Sequence, residues 1–148
     1  MKKTFYDNTP FMYGYSSKKY IVDNMNINLK KIIEKAEGKL ITDIGCGCGR
    51  NLLYSSKYAQ KIIGVDISKQ SLDFAKSFVD SENLELILGD NLEIPLQDSM
   101  SDLVISDGVI HHTGDTIRAF NECIRILKPN GFLYLAVYKK FRYYPFLY

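Results

Sequence analysis

What the chain lacks narrows its class before any motif is read. No apolar run among its 148 residues is long enough to span a bilayer. The start, Met1-Lys2-Lys3-Thr4-Phe5-Tyr6-Asp7, is positive but lacks the apolar stretch of a secretion signal. Cysteine is scarce and odd in number, so no disulfide framework is expected. Cys46, Cys48 and Cys123 read as reduced thiols, and the expected location is cytoplasmic. A strong charge bias is also absent. The 19 basic and 17 acidic side chains leave +2, too little to argue for nucleic acid. There is no internal repeat and no low-complexity tract. With 46% hydrophobic and 24% charged residues, the chain reads as one globular domain with its own core.

The segments that are present alternate. After an aromatic, turn-rich stretch over residues 1–16, apolar positions Ile21, Met25, Leu29, Ile32, Ile33 and Ala36 repeat at three or four. They predict a helix from Lys19 to Glu37. Short apolar strands follow at Leu40–Ile44, Lys61–Asp66, Leu84–Leu88, Leu103–Ser106 and Phe132–Val137. Helical patterns lie between them at 49–59, 69–79, where Ser68 is suited to cap, and 115–127. This order predicts an α/β fold: a Rossmann-like, doubly wound, mainly parallel sheet flanked by helices. Ligands of such sheets bind beyond the carboxyl ends of the strands, at the point where strand order reverses.

The loop after the first strand is Asp43-Ile44-Gly45-Cys46-Gly47-Cys48-Gly49-Arg50-Asn51. Its glycines let a ligand approach the backbone, and the helix start behind it is expected to favour an anionic group such as a carboxylate. A dinucleotide fingerprint would need its third glycine where Arg50 stands. The second strand ends in Asp66, 23 residues after Asp43, where an acid can accept hydrogen bonds from ribose hydroxyls. A helix-capping carboxylate is the plainer alternative for Asp66.

The pattern Asp-x-Gly-x-Gly-x-Gly resembles motif I of class I S-adenosylmethionine (SAM)-dependent methyltransferases. Further matches follow in the family's order, and they are most similar to the methyltransferase type 11 group. These are Asp66-Ile67 after strand two, Gly89-Asp90-Asn91-Leu92 after strand three, Ser106-Asp107-Gly108 after strand four, and Leu127-Lys128-Pro129-Asn130-Gly131-Phe132 before strand five. The resemblance covers about residues 38–137. It implies SAM as cofactor and S-adenosylhomocysteine as product, with methyl transfer to an acceptor that the resemblance does not identify and that is expected to be a small molecule. Its implied contacts are Gly45, Cys46, Gly47, Gly49 and Asn51 for the methionine part, with Asp43 ordering the ammonium through the loop. Asp66 and Ile67 would hold the ribose, Gly89, Asp90, Asn91 and Leu92 the adenine, and Ser106, Asp107 and Gly108 the methyl-donor side.

Other features stay open at this level. His111 and His112 follow strand four, and His111, nearer the strand end, is the preferred candidate base; local packing is the alternative. Tyr13 and Tyr15 are candidate lid contacts to the donor, against a plain surface role. Cys46-x-Cys48 lacks a second metal-spaced pair, so no metal is expected. The division expected is an N-terminal segment and helix over 1–38, the cofactor core over 39–138, and a basic aromatic tail over 139–148. The family usually continues with two more strands, so the fold is expected to break off after strand five. A fragment of a longer enzyme is the favoured reading of the tail; a homodimer or partner contact through it is the next, and contact of its alternating basic and aromatic side chains with a membrane surface is the weakest. A membrane span and a nucleic-acid partner are not expected. The rival functions are a nicotinamide-dependent oxidoreductase and a SAM-binding protein without turnover.

Overall fold

The computed structural model describes residues 17–137. The helices are α1 (Lys18–Asp23), α2 (Ile27–Lys35), α3 (Arg50–Ser55), α4 (Lys69–Val79) and α5 (Thr116–Ile126). The strands are β1 (Leu40–Ile44), β2 (Lys61–Asp66), β3 (Leu84–Leu88), β4 (Ser101–Asp107) and β5 (Leu127–Ala136), with a short 3-10 turn at Ile110–His112 after β4. The strands form one sheet in the order β3-β2-β1-β4-β5. Every pairing is parallel. Strand order reverses between β1 and β4, which places the switch point beside the glycine loop.

The three central strands are buried along most of their length because both faces are covered. Their side chains alternate between two clusters. Ile41, Ile62, Leu103 and Ile105 pack with Leu29 and Ile33 of α2, Leu52 of α3 and Leu72 and Ala75 of α4. Ile44, Ile63, Val65 and Val104 pack on the other face with Ala119, Cys123 and Ile126 of α5. This is the α/β sandwich that the alternation predicts.

Several boundaries differ from the sequence expectation. The helix expected over 19–37 is two helices. Asn26 Oδ1 accepts from the N–H groups of Asn28 (2.8 Å) and Leu29 (3.3 Å) and starts a new helix. Ile21, Met25, Leu29 and Ile33 are still all buried, so the periodicity survives the break. The helix expected over 49–59 is regular only to Ser55. Strand five begins at Leu127, and its pairing with β4 shifts between Ser101 and Leu103, which accommodates the Pro129-Asn130-Gly131 turn. Ser68 caps α4 through a bond from Ser71 N–H at 3.3 Å, as its position implies. No described helix is long and apolar enough to cross a membrane. Tyr13, Tyr15 and the tail over 139–148 lie outside the described residues.

Candidate cofactor-binding site

A cavity of about 390 Å³ opens beyond the carboxyl ends of the strands. That volume is within the range of small-molecule sites. The loop after β1 contributes Gly45, Cys46 and Gly47, and α3 contributes Asn51. The end of β2 contributes Asp66 and Ile67. The loop after β3 adds Asp90, Asn91 and Leu92, and β4 ends there in Asp107 and Gly108. Five expected contacts do not line it: Asp43, Gly49, Gly89, Ser106 and His111.

The reasons are structural. Asp43 and Ser106 are buried inside the sheet. A Cβ on Gly49 would meet Val79 at 3.0 Å and Ala75 at 3.2 Å, so this glycine lets the loop pack on α4. Gly89 lies similarly against Pro95, at 2.7 Å for an added Cβ. The loop after β3 is held from outside by α5. Arg125 donates to the carbonyls of Ile94 and Leu96, both at 2.8 Å, and Glu122 accepts from Ile94 N–H at 2.8 Å. Asp90 Oδ1 then accepts from Leu92 N–H at 2.9 Å and fixes the turn that reaches the cavity.

The glycine loop directs its donors inward. The N–H groups of Gly45 and Cys46 both bond to Val65 O, at 2.8 and 3.1 Å. Gly47 N–H bonds to Asp66 Oδ2 at 2.8 Å, and Gly49 N–H to Cys46 O at 3.0 Å. A phosphate cradle needs such donors turned toward the ligand. Four of the loop's N–H groups are therefore committed within the protein, while the first turn of α3 has no side-chain cap. Gly45 is in the left-handed region (φ 69°), and a Cβ there would lie 2.3 Å from a Val109 methyl. The loop thus sits tight against the segment after β4.

Charge is concentrated here. Asp66, Asp90 and Asp107 line the cavity against one guanidinium, Arg50, which pairs with Asp107 across the opening. In the sequence, Arg50 stands out only as a misfit to the dinucleotide motif. Its partner lies 57 residues away, and no local pattern announces the pair. Behind this wall Asp43 is buried. Burial pushes its carboxyl up to about 8, opposed by a hydrogen bond from Asn51; Asp107 and Asp66 raise it further and Arg50 lowers it. Asn51, which lines the cavity, therefore stands between Asp43 and the ligand space. Burial, with Asp43 and Asp66 nearby, also raises the Cys46 thiol well above its ordinary value, which makes it a poor nucleophile. Among the described residues no group of three or more His, Cys, Asp and Glu could hold a metal ion.

The two histidines separate. His112 lines the cavity together with Val109, Thr113, Gly114 and Val137. His111 lies against it, with ring centroids 4.0 Å apart, and is not part of the lining. Burial, and then the neighbouring His112, lower the His111 pKa. Sequence distance from the strand end favoured His111; the 3-10 turn instead carries His112 to the cavity wall.

The residues present fit an adenosyl sulfonium. The wall is acidic, which suits a ligand with cationic groups, and the loop offers little to a pyrophosphate. A profile for a methyltransferase domain matches residues 42–135, more than half of the chain. Over 108 residues the chain is 37% identical to a Bos taurus protein provisionally assigned as tRNA methyltransferase 9B, covering 71% of this chain and 22% of that protein. Over 112 residues it is 31% identical to an uncharacterized Bacillus subtilis methyltransferase, YcgJ, covering 74% of this chain and 44% of that one. The crystal structure of YcgJ aligns with a TM-score of 0.66 and 32% identity, over 71% of this chain and 47% of that chain. A solved Methanococcus maripaludis chain, provisionally assigned as a SAM-dependent methyltransferase, aligns with a TM-score of 0.67 and 27% identity, over 82% and 64% of the two chains. This chain thus spans less than two thirds of the length of each of these relatives.

Proposed function

The chain belongs to the class I SAM-dependent methyltransferases, and from that premise we propose that it binds SAM in the cavity above the sheet and carries the donor half of a methyl transfer. SAM supplies a methyl group already activated on its sulfonium. The chain's residues then have to bind, orient and exclude water. Asp66 accepts from the ribose hydroxyls, since each carboxylate oxygen can take a second hydrogen bond. Asp90, Asn91 and Leu92 receive the adenine. Gly45, Gly47 and Asn51 border the methionine arm, with Asp43 holding Asn51 in orientation. The observation that carries the choice of SAM over a dinucleotide is the inward commitment of the loop N–H groups beside an acidic wall.

The expected acceptor is a small molecule, entering between Val109, His112, Thr113 and Val137. The acidic rim supports this, because it repels a polyanionic backbone. His112 is the residue suited to take a proton from the acceptor. The likeness to a protein assigned as tRNA methyltransferase 9B favours a second reading, an RNA acceptor. Three buried free thiols support a reducing, cytoplasmic setting. Calorimetry tests the donor site: S-adenosylhomocysteine should give saturable heat and NAD none, and the reverse would overturn the proposal. Labelled SAM offered with a metabolite pool or with RNA would then separate the two acceptors.

A further inference from the structure

We propose that Asp66 is a positioning residue for the glycine loop as well as a ribose acceptor, so that one carboxylate couples the two halves of the cofactor site. The inference rests on the SAM reading above and goes beyond it. Both Asp66 oxygens are engaged at fixed places. Oδ1 accepts from Ser68 N–H at 2.9 Å and anchors the carboxylate to its own strand end. Oδ2 accepts from Gly47 N–H at 2.8 Å, from a residue 19 positions earlier. Gly47 is the apex of the loop, and a Cβ built there would meet nothing within 4 Å. Among the described residues nothing packs where a Gly47 side chain would stand, and the bond to Asp66 ties the apex to β2. The preceding N–H groups, of Gly45 and Cys46, lean on Val65 O, the residue just before Asp66. The loop after β1 is therefore shaped by the last two residues of β2.

This arrangement requires an acid with two acceptors on a short stem. An asparagine can accept at one oxygen only, so it must release either Ser68 or Gly47. Ordering the carboxylate by a ribose diol then orders the apex of the loop, against which the methionine arm lies. The ribose end and the amino-acid end cease to be independent.

Truncated ligands read this coupling. Adenosine reaches Asp66 but has no amino-acid arm; S-adenosylhomocysteine has both. In Asp66→Asn, with a thermal melt confirming the fold, adenosine should lose only its ribose contact. S-adenosylhomocysteine should lose that factor and about tenfold more. In the wild-type protein, hydrogen exchange at the Gly47 amide should slow when adenosine binds. Equal loss for the two ligands, or Gly47 exchange unmoved by adenosine, overturns the inference. Should Asp66→Asn not fold, the exchange measurement on wild-type protein decides alone. Folded wild-type protein that binds no S-adenosylhomocysteine overturns the SAM reading itself.

Discussion

The two ends of the sheet treat buried polar groups differently. At the amino end, Thr42 and Ser101 are fully buried and share a hydrogen bond at 2.6 Å. Asp102 accepts from Leu40 N–H at 3.1 Å and from Lys128 at 2.9 Å. Asn83 donates to the carbonyls of Ser56 and Ala59, at 3.1 and 2.8 Å. At the carboxyl end, the side-chain oxygens of Asn51, Asn91 and Ser106 are buried without a partner among the described residues (the Ser55 hydroxyl, at the far end of α3, is an exception on the other side), and three carboxylates, of Asp43, Asp66 and Asp107, crowd around one arginine. Partnered groups stabilise the fold; groups left wanting partners are a cost that a ligand can relieve. One end holds the domain together and the other is shaped for something bound to it.

The largest expected break in this contrast is Gly45→Ala. Its Cβ would meet Val109 at 2.3 Å with φ at 69°, so strain and overpacking add. A loss of roughly 3 kcal/mol in stability is expected, together with loss of S-adenosylhomocysteine binding. Gly38→Ala is the control near the start of β1. It has φ at 72° but nothing within 4 Å of the new Cβ, so only the backbone term remains, about 1–2 kcal/mol, with binding retained. Urea melts and calorimetry on the pair check both. Equal effects on binding would remove the distinction between the ends.

The pH dependence should differ in sign between the buried Asp43 and the acids that cations hold. Asp43 has its carboxyl raised from 3.8 to about 8, chiefly by burial. The folded state holds that proton more tightly than the unfolded state, so this group lowers stability as pH rises from about 4 toward 8. Asp102 behaves oppositely. Burial alone would raise it, but the bonds from Lys128 and Leu40 hold it below 3.8. Glu122, held by Arg125, is likewise below 4.5. Their contribution is present above those ordinary values and is lost as pH falls through the lowered ones. Asp43→Asn should therefore flatten the decline between pH 5 and 8, by on the order of 2 kcal/mol, and leave acid unfolding below pH 4 unchanged. A variant with the wild-type slope would show that Asp43 is not the source.

Much of this was legible in the sequence. The central strands appear as apolar runs because the sheet is covered on both faces, and the acids that end β2 and β4 mark the edge where ligands sit. The glycine spacing marked the loop. What the loop does with its N–H groups was not legible, since backbone donors carry no side-chain signature and their acceptor, Val65, is an ordinary core residue. The Arg50–Asp107 pair joins residues from separate loops, and only the closed topology brings them together. The choice between His111 and His112 depends on the rotation of one short turn. The break in the first helix had a signal, the Asn24-Met25-Asn26 segment, but the apolar period continues through it.

A smaller effect is expected at the amino end. Thr42→Val leaves the Ser101 hydroxyl buried without its partner and should cost about 1–3 kcal/mol. Thr42→Val combined with Ser101→Ala removes both polar groups, and part of that loss should return. A double variant as unstable as the sum of the singles would mean that the hydroxyl pair is not the unit.

Ser106→Ala should be the mildest change. Ser101 and Ser106 occupy the same strand and both are fully buried, so burial alone predicts equal effects. Only partnership differs: the Ser101 hydroxyl has Thr42, and the Ser106 hydroxyl has no partner among the described residues. Removing an unsatisfied hydroxyl removes a desolvation cost and little else, so Ser106→Ala should stay within about 0.5 kcal/mol of wild type, or stabilise the protein. Urea melts of the two single alanine variants make the comparison within one strand. A loss at Ser106 as large as at Ser101 would mean that its hydroxyl is satisfied in solution, and the carboxyl end would then be better provided than its geometry shows.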